Sequence, residues 1–123
     1  MSIAATVLTA LLGATVVWIG LRFLLVPEPA AAAYGVPASA RGDASAYLSI
    51  KGVRDGMLGV ITLVLLITAA HSVVGWFLLA VSLIPFGDLV IVLRHQGSKT
   101  LAYAVHGGTG VLAIVVAVLQ FLS

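Results

Sequence analysis

Four long apolar runs, each of bilayer-spanning length, occupy most of this 123-residue chain. A spanning helix needs roughly 20 apolar residues, and the runs lie at about residues 3–26, 44–70, 74–93 and 100–122. Charged residues make up only 8% of the chain, whereas a soluble domain carries about 25%. A water-soluble fold could not cover its surface with so few charges. The pattern predicts an all-α membrane protein, a single domain over residues 1–123, with four transmembrane helices in an antiparallel bundle.

The first run has an alternative interpretation as a cleaved signal peptide, because the alanines at 30–33 resemble a cleavage region. The start of the chain has no Lys or Arg, however, and the run exceeds the ~7–15 apolar residues of a signal peptide. We therefore expect a retained helix, ended by Pro27 and Pro29, which cannot donate to the helical ladder. The alanines then predict a short interfacial helix, with Tyr34 at the level of the lipid headgroups.

The distribution of Lys and Arg predicts an orientation. Arg41 lies in the connection after the first run, and Arg94 and Lys99 flank the connection after the third. The turn near His71 and both tails contain neither residue type. Because cytoplasmic loops are enriched in Lys and Arg, we expect a multi-pass protein of the bacterial inner membrane. Its charged loops would face the cytoplasm and both termini the outside. The net charge of +2 includes no basic run, so the lipid bilayer is the expected partner and nucleic acid is not.

Ionisable side chains lie inside the apolar runs, near the predicted cytoplasmic face. At helical rise, Asp88 lies about 9 Å and His106 about 10 Å inside that boundary. Arg54 and Asp55 lie about 5 Å inside, and Arg22 lies about 6 Å inside. A charge at the centre of a spanning helix costs roughly 2.5–3.5 kcal/mol, so groups at a similar depth are expected to pair across helices.

The favoured pair joins Asp88 to Arg54 or Arg22, because a planar guanidinium matches a carboxylate bidentately. Asp55 would then pair with His106 or with the second arginine. The alternative is structural: an Arg–Asp pair fixes the helix register, and a lone histidine on a glycine-rich helix packs without catalytic use.

Two further residues complete the candidate set. Lys51 is expected to extend to the headgroups, and Tyr103 lies about one helical turn before the histidine and is a candidate partner for it. The predicted catalytic residues are Asp88, Asp55 and His106, and the predicted ligand-binding residues are Arg54, Arg22, Lys51 and Tyr103.

Small residues and one proline shape the predicted helices. Gly52 and Gly56, like Gly13 and Gly20, predict close contact between helix backbones. Pro85 predicts a kink in the third helix. The chain has no cysteine, no metal-binding motif and no phosphate-binding loop, so we predict neither a metal nor a cofactor.

Residues 51–56, Lys-Gly-Val-Arg-Asp-Gly, followed by Asp88 and His106, resemble a family of small four-helix membrane proteins of bacteria and fungi. That family is called domain of unknown function 4267. Residues 34–37, Tyr-Gly-Val-Pro, are similar to its short motif after the first helix. The resemblance covers nearly the whole chain. It implies a four-helix membrane fold and carries no activity with it.

Three functions stay open from the sequence. The first, which we favour in its binding form, is a site for a lipid-like or small amphipathic ligand, with Asp88 or Asp55 available for isomerase-type acid–base chemistry. The second is a homodimeric, proton-coupled transporter of small molecules. Small multidrug-resistance transporters have a similar size, but they use an acidic residue in the first helix, where this chain has Arg22. The third is a structural or accessory membrane subunit.

Overall fold

Four long helical rods form the part of the chain that the structure, a computed structural model, describes, namely residues 2–36 and 43–123. Pro37 and Arg41 of the predicted loop lie outside the described residues. The described residues contain no strand. In chain order the elements are α1 (Ile3–Leu25), α2 (Pro27–Tyr34), α3 (Asp43–Thr68), α4 (His71–Val81), α5 (Leu83–Arg94), α6 (Lys99–Leu101), a π-helical turn (Ala102–Gly107) and α7 (Gly108–Phe121). Helices α1 and α3 are the first two rods. The third rod consists of α4 and α5, and the fourth consists of α6, the π-helical turn and α7.

Within the described ranges, three helical segments are long and apolar enough to cross a membrane: Ile3–Leu25, His71–Arg94 and Lys99–Phe121. Large apolar side chains cover their outer surfaces, and Leu25 and Leu83 remain 76% and 71% exposed. Such a surface is stable where lipid rather than water surrounds the protein. The predicted all-helical membrane fold is confirmed at this level.

Helices α1 and α3 pack with their backbones nearly in contact. A Cβ atom added to Gly20 would lie 2.3 Å from the Gly56 nitrogen and 2.6 Å from the Gly52 carbonyl oxygen. A Cβ on Gly59 would lie 2.6 Å from the Gly13 carbonyl oxygen. No side chain fits at these distances, so the predicted packing role of these glycines is confirmed.

Helices α4 and α7 form the other close pair. Val74 and Leu78 of α4 are buried against Val116 and Ala117 of α7. Val74 and Leu78 are four positions apart, and α7 also buries Ala113, three and four positions before Val116 and Ala117. Each helix therefore presents one apolar stripe to its partner. This core extends from the cavity described below, which Leu78 also lines, towards the distant end of the bundle.

A buried amide joins the helix ends at that distant side. Gln120 is 1% exposed. Its Nε2 donates to the Thr9 hydroxyl at 2.9 Å and to the Ala5 carbonyl at 3.3 Å. His71 Nδ1 lies 3.0 Å from its Oε1. The start of α1, the start of α4 and the end of α7 therefore meet, which makes successive rods antiparallel.

Candidate functional site

The short helix α2 brings Tyr34 back against the bundle. Pro27 opens the helix, where its missing N–H would have no intrahelical partner. Ala30 and Ala31 are 4% and 2% exposed, because their small side chains let α2 lie against α1. Gly35 ends the helix with φ of 100°, a left-handed conformation that suits glycine. Its carbonyl accepts a hydrogen bond from the Ser98 N–H at 3.2 Å, which fastens this end of α2 to the start of α6.

The phenol of Tyr34 donates a hydrogen bond to Oδ2 of Asp88. Asp88 lies on α5, three residues after Pro85, which has no N–H to bond the carbonyl four residues earlier. The rod is interrupted close to this point, at Ser82 between α4 and α5, as the proline predicts. Burial and the neighbouring carboxylates, Asp88 first, raise the pKa of the Tyr34 phenol above its ordinary value. The phenol is therefore held protonated and serves as a donor.

The carbonyl of the same tyrosine binds His106. His106 Nε2 lies 2.6 Å from the Tyr34 carbonyl oxygen, and because a carbonyl only accepts, Nε2 carries the proton. The imidazole is 3% exposed and packs 4.1 Å from the Tyr34 ring, measured between centroids. It lies in the π-helical turn, whose extra residue per turn changes the direction of the side chains that follow. Such turns are frequent at functional sites.

An ion pair from α3 completes the arrangement. Lys51 Nζ lies 3.0 Å from Asp55 Oδ2 and 4.0 Å from the centroid of the Tyr34 ring. Phe23 of α1 meets the same ring edge-on at 5.5 Å. Tyr34 thus contacts all four rods. We call the group formed by these polar residues the Tyr34 cluster, and its members are Tyr34, Lys51, Asp55, Asp88 and His106.

A cavity of about 110 Å³ lies between the rods beside this cluster. Apolar side chains of all four rods form most of its wall, and Thr62 and Thr109 add two hydroxyl groups. Four residues of the Tyr34 cluster also line it: Tyr34, Asp55, Asp88 and His106. An apolar cavity of about 150 Å³ holds benzene, so this smaller one has room for about four or five non-hydrogen atoms. It is therefore a pocket for a small molecule or for one end of a larger one.

The predicted catalytic residues converge, but their predicted partners do not. Asp88, Asp55 and His106 line one cavity. No ion pair joins Asp88 to Arg54 or Arg22 anywhere in residues 2–36 and 43–123, so the favoured Arg–Asp88 pair is wrong. Tyr34 takes that place on Asp88.

Helix rotation explains the position of Arg54. Consecutive residues point about 100° apart on a helix, so Arg54 is exposed when its neighbour Asp55 faces the interior. Lys51, four residues before Asp55, shares its face. The expectation that Lys51 extends to the headgroups is therefore wrong, since it bonds Asp55 and covers the Tyr34 ring.

Two other predicted ligand-binding residues lie outside the cavity. Tyr103 is 61% exposed and does not contact His106, whose partner is the Tyr34 carbonyl. Arg22 lines a second groove, of about 200 Å³, together with Trp18 and Phe23. Its Nε is buried and has no hydrogen-bond partner among the described residues.

Sequence reasoning also misplaced Tyr34. It was expected at the headgroups, and the structure places it half-buried at the centre of the cluster. The available signal was a single tyrosine followed by glycine, directly after an alanine-rich helix. Thr62 and Thr109 were also missed, because a threonine in an apolar helix usually bonds its own backbone, as both of these do.

The fold and the cluster define an all-helical membrane protein with a partly polar cavity between its helices. The chain belongs to the family described as Domain of unknown function (DUF4267), whose model matches residues 13–120. The resemblance seen in residues 51–56 is thereby confirmed. No curated protein and no solved structure matches the chain.

Proposed function

We propose that this protein is a four-span membrane protein that binds a small amphipathic molecule in the cavity beside the Tyr34 cluster. The observation that supports this proposal most directly is the composition of the cavity wall. Acidic and aromatic groups lie on one part of its wall, and apolar side chains such as Leu12 and Leu78 form the rest. A mostly apolar pocket with a few convergent polar groups is the usual form of a small-molecule site.

The fourth span in this proposal is α3. It has 26 residues, which correspond to about 39 Å of helix, against a hydrocarbon core of about 30 Å. Counting back roughly 20 residues from Thr68 reaches Ser49, so Lys51 lies near one boundary of the bilayer. The pairing of Lys51 with Asp55 lowers the cost of placing both charges near that boundary. Both termini would face outward and the loops with Lys and Arg the cytoplasm of a bacterial cell.

Acid–base chemistry fits the same site. Asp88 has one carboxylate oxygen bonded to Tyr34, which leaves the other for a ligand. His106 Nδ1 is free to accept a proton when Nε2 donates to the Tyr34 carbonyl. Two bases on one cavity can move a proton between two positions of the same molecule without a cofactor. An isomerase-type proton transfer is the reaction that this geometry supports, with Asp55 as a further carboxylate.

Two probes of equal length test the binding proposal, namely 1-pentanol and pentylammonium. We expect at least one of them to shift the methyl NMR signals of Leu12 and Leu78 in a saturable way. Ala113 lines the cavity and is 4% exposed, so Ala113→Leu should reduce this binding. Ala104→Leu, on the exposed side of the π-helical turn, is the matched control. Signals that move with neither probe, or that move equally in both variants, would contradict the proposal.

A proton-coupled transporter, acting as a homodimer, is the second candidate. It is favoured by Asp88, whose carboxylate has no cationic partner in the described part of the chain. Intramembrane carboxylates commonly relay protons in transporters. Flux of pentylammonium into liposomes that responds to an imposed proton gradient, and is lost in Asp88→Asn, would support this candidate. Saturable binding without such flux would argue against it.

A further inference from the structure

The hydrogen-bond donors on the cavity wall already donate to other atoms of the protein. The Tyr34 phenol donates to Asp88, and His106 Nε2–H donates to the Tyr34 carbonyl. The hydroxyl groups of Thr62 and Thr109 donate to carbonyl oxygens four residues earlier in their own helices, at 2.8 and 2.5 Å. None of these donors is left for a ligand.

The atoms that remain are acceptors. Asp88 and Asp55 each keep one carboxylate oxygen that has no partner among the described residues. His106, which is 3% exposed, uses Nε2 for the Tyr34 carbonyl and keeps Nδ1 without a partner among the described residues. In the neutral imidazole that atom is an acceptor. A phosphate, a carboxylate or a ketone would meet only other acceptors here. A ligand that donates hydrogen bonds would satisfy them.

The charges around the cavity also favour a ligand that donates hydrogen bonds, and in particular one with a positive charge. Lys51 is held by Asp55 at 3.0 Å and lies over the Tyr34 ring, so its charge is already paired. Asp88 has no cation beside it anywhere in the two described ranges. Asp88 is partly buried, and a carboxylate that loses water without gaining a cation is destabilised. A positively charged ligand would reduce that cost.

We infer that the ligand bound beside the Tyr34 cluster is a small primary amine in its protonated form. Its ammonium group donates to Asp88, Asp55 and His106. Its apolar body, of about four or five non-hydrogen atoms by comparison with a benzene-binding cavity, lies against Leu12 and Leu78. This inference rests on the proposed function and names its ligand class.

The test compares pentylammonium with 1-pentanol, which has the same length and no charge. Purified full-length protein in lipid nanodiscs is titrated with each probe while the Leu12 and Leu78 methyl signals are followed. We expect pentylammonium to bind about 10- to 100-fold more tightly, as for a hydrogen bond to a charged group. Asp88→Asn should remove this preference, whereas Arg94→Gln, an exposed charge on the same helix, should keep it.

The outcomes separate the two proposals. Equal affinity for the two probes, or a preference for pentylammonium that survives in Asp88→Asn, overturns the amine inference and leaves the binding proposal standing. Absence of binding by either probe overturns both. If Asp88→Asn does not fold, the comparison is made with the unmodified protein, and pentanoate replaces the variant. In that case, the inference is overturned if pentanoate binds as tightly as pentylammonium.

Discussion

Tyr34 donates a hydrogen bond to Asp88, a residue 54 positions later in the chain. The bond joins α2, which lies outside the spanning segments, to α5, which lies within one of them. The same tyrosine accepts a hydrogen bond from His106 through its carbonyl. Its side chain and its backbone therefore position two of the three groups proposed to bind the ligand, and its substitution should disturb both stability and binding.

Tyr34→Phe should destabilise the protein by about 1–3 kcal/mol, because it removes the donor from a carboxylate inside the bundle. Tyr47→Phe is the matched control, since Tyr47 is 71% exposed and its substitution should change stability by less than about 0.5 kcal/mol. Thermal unfolding in detergent measures both. Equal unfolding temperatures for the two variants would show that the Tyr34 hydroxyl bonds nothing of consequence.

Gly20→Ala should destabilise the α1–α3 pair by about 1–3 kcal/mol, the usual cost of overpacking. The added Cβ would lie 2.3 Å from the backbone nitrogen of Gly56, which cannot move alone. Gly87→Ala is the control, because nothing lies within 4 Å of its added Cβ, and it should be neutral or stabilising by up to about 1 kcal/mol. Denaturation of each variant in the same detergent gives the comparison. A neutral Gly20→Ala would contradict the close backbone packing.

The Lys51–Asp55 pair should show a favourable coupling of about 0.5–3 kcal/mol in a double-mutant cycle. Both side chains are partly buried, at 26% and 15% exposure. Lys51→Gln alone leaves Asp55 uncompensated, and adding Asp55→Asn should recover part of the loss. Lys99→Gln, at an exposed position, provides a charge control. Strictly additive effects of the two substitutions would mean that the ion pair contributes nothing.

The Tyr34 phenol should stay protonated where an ordinary tyrosine ionises, near pH 10. Its raised pKa stabilises the folded state fully below pH 10, and that contribution falls as pH rises from there towards the folded-state pKa. Phenolate absorbance of the folded unmodified protein and of Tyr34→Phe should therefore rise equally up to about pH 11. An excess of phenolate in the unmodified protein below that pH would place Tyr34 in water.

The sequence was sufficient for the helical class and the family, and it pointed to three residues that the structure places on one cavity. Asp88, Asp55 and His106 were found by depth, because rise per residue converts position along a helix into distance from the boundary. Depth along the helix axis carries no information about which way a side chain points around that axis. Arg54 was therefore paired with Asp88, although Arg54 directly precedes Asp55 and so points about 100° away from it. The spacing of four between Lys51 and Asp55 was the better guide.

Tyr34 could not be placed from the sequence for a different reason. It ends an eight-residue helix that is too short to show a period, and its direction is set by the Pro27 start and the left-handed Gly35 end. The contacts of its buried alanines with Phe23 hold that helix against α1. The count of four spans stays a prediction, because Lys51, Arg54 and Asp55 interrupt the apolar pattern in the first half of α3. The orientation in the membrane also stays a prediction.

The contact between Tyr34 and Asp88 is best measured by magic-angle-spinning NMR of the protein in lipid bilayers, with carbon-13 in Tyr Cζ and Asp Cγ. We predict a through-space cross peak between these two carbons that disappears in Tyr34→Phe and persists in Tyr47→Phe. A spectrum without that cross peak, with the Tyr34 signal instead showing contact with lipid headgroups, would contradict the Tyr34 cluster and the binding site built on it.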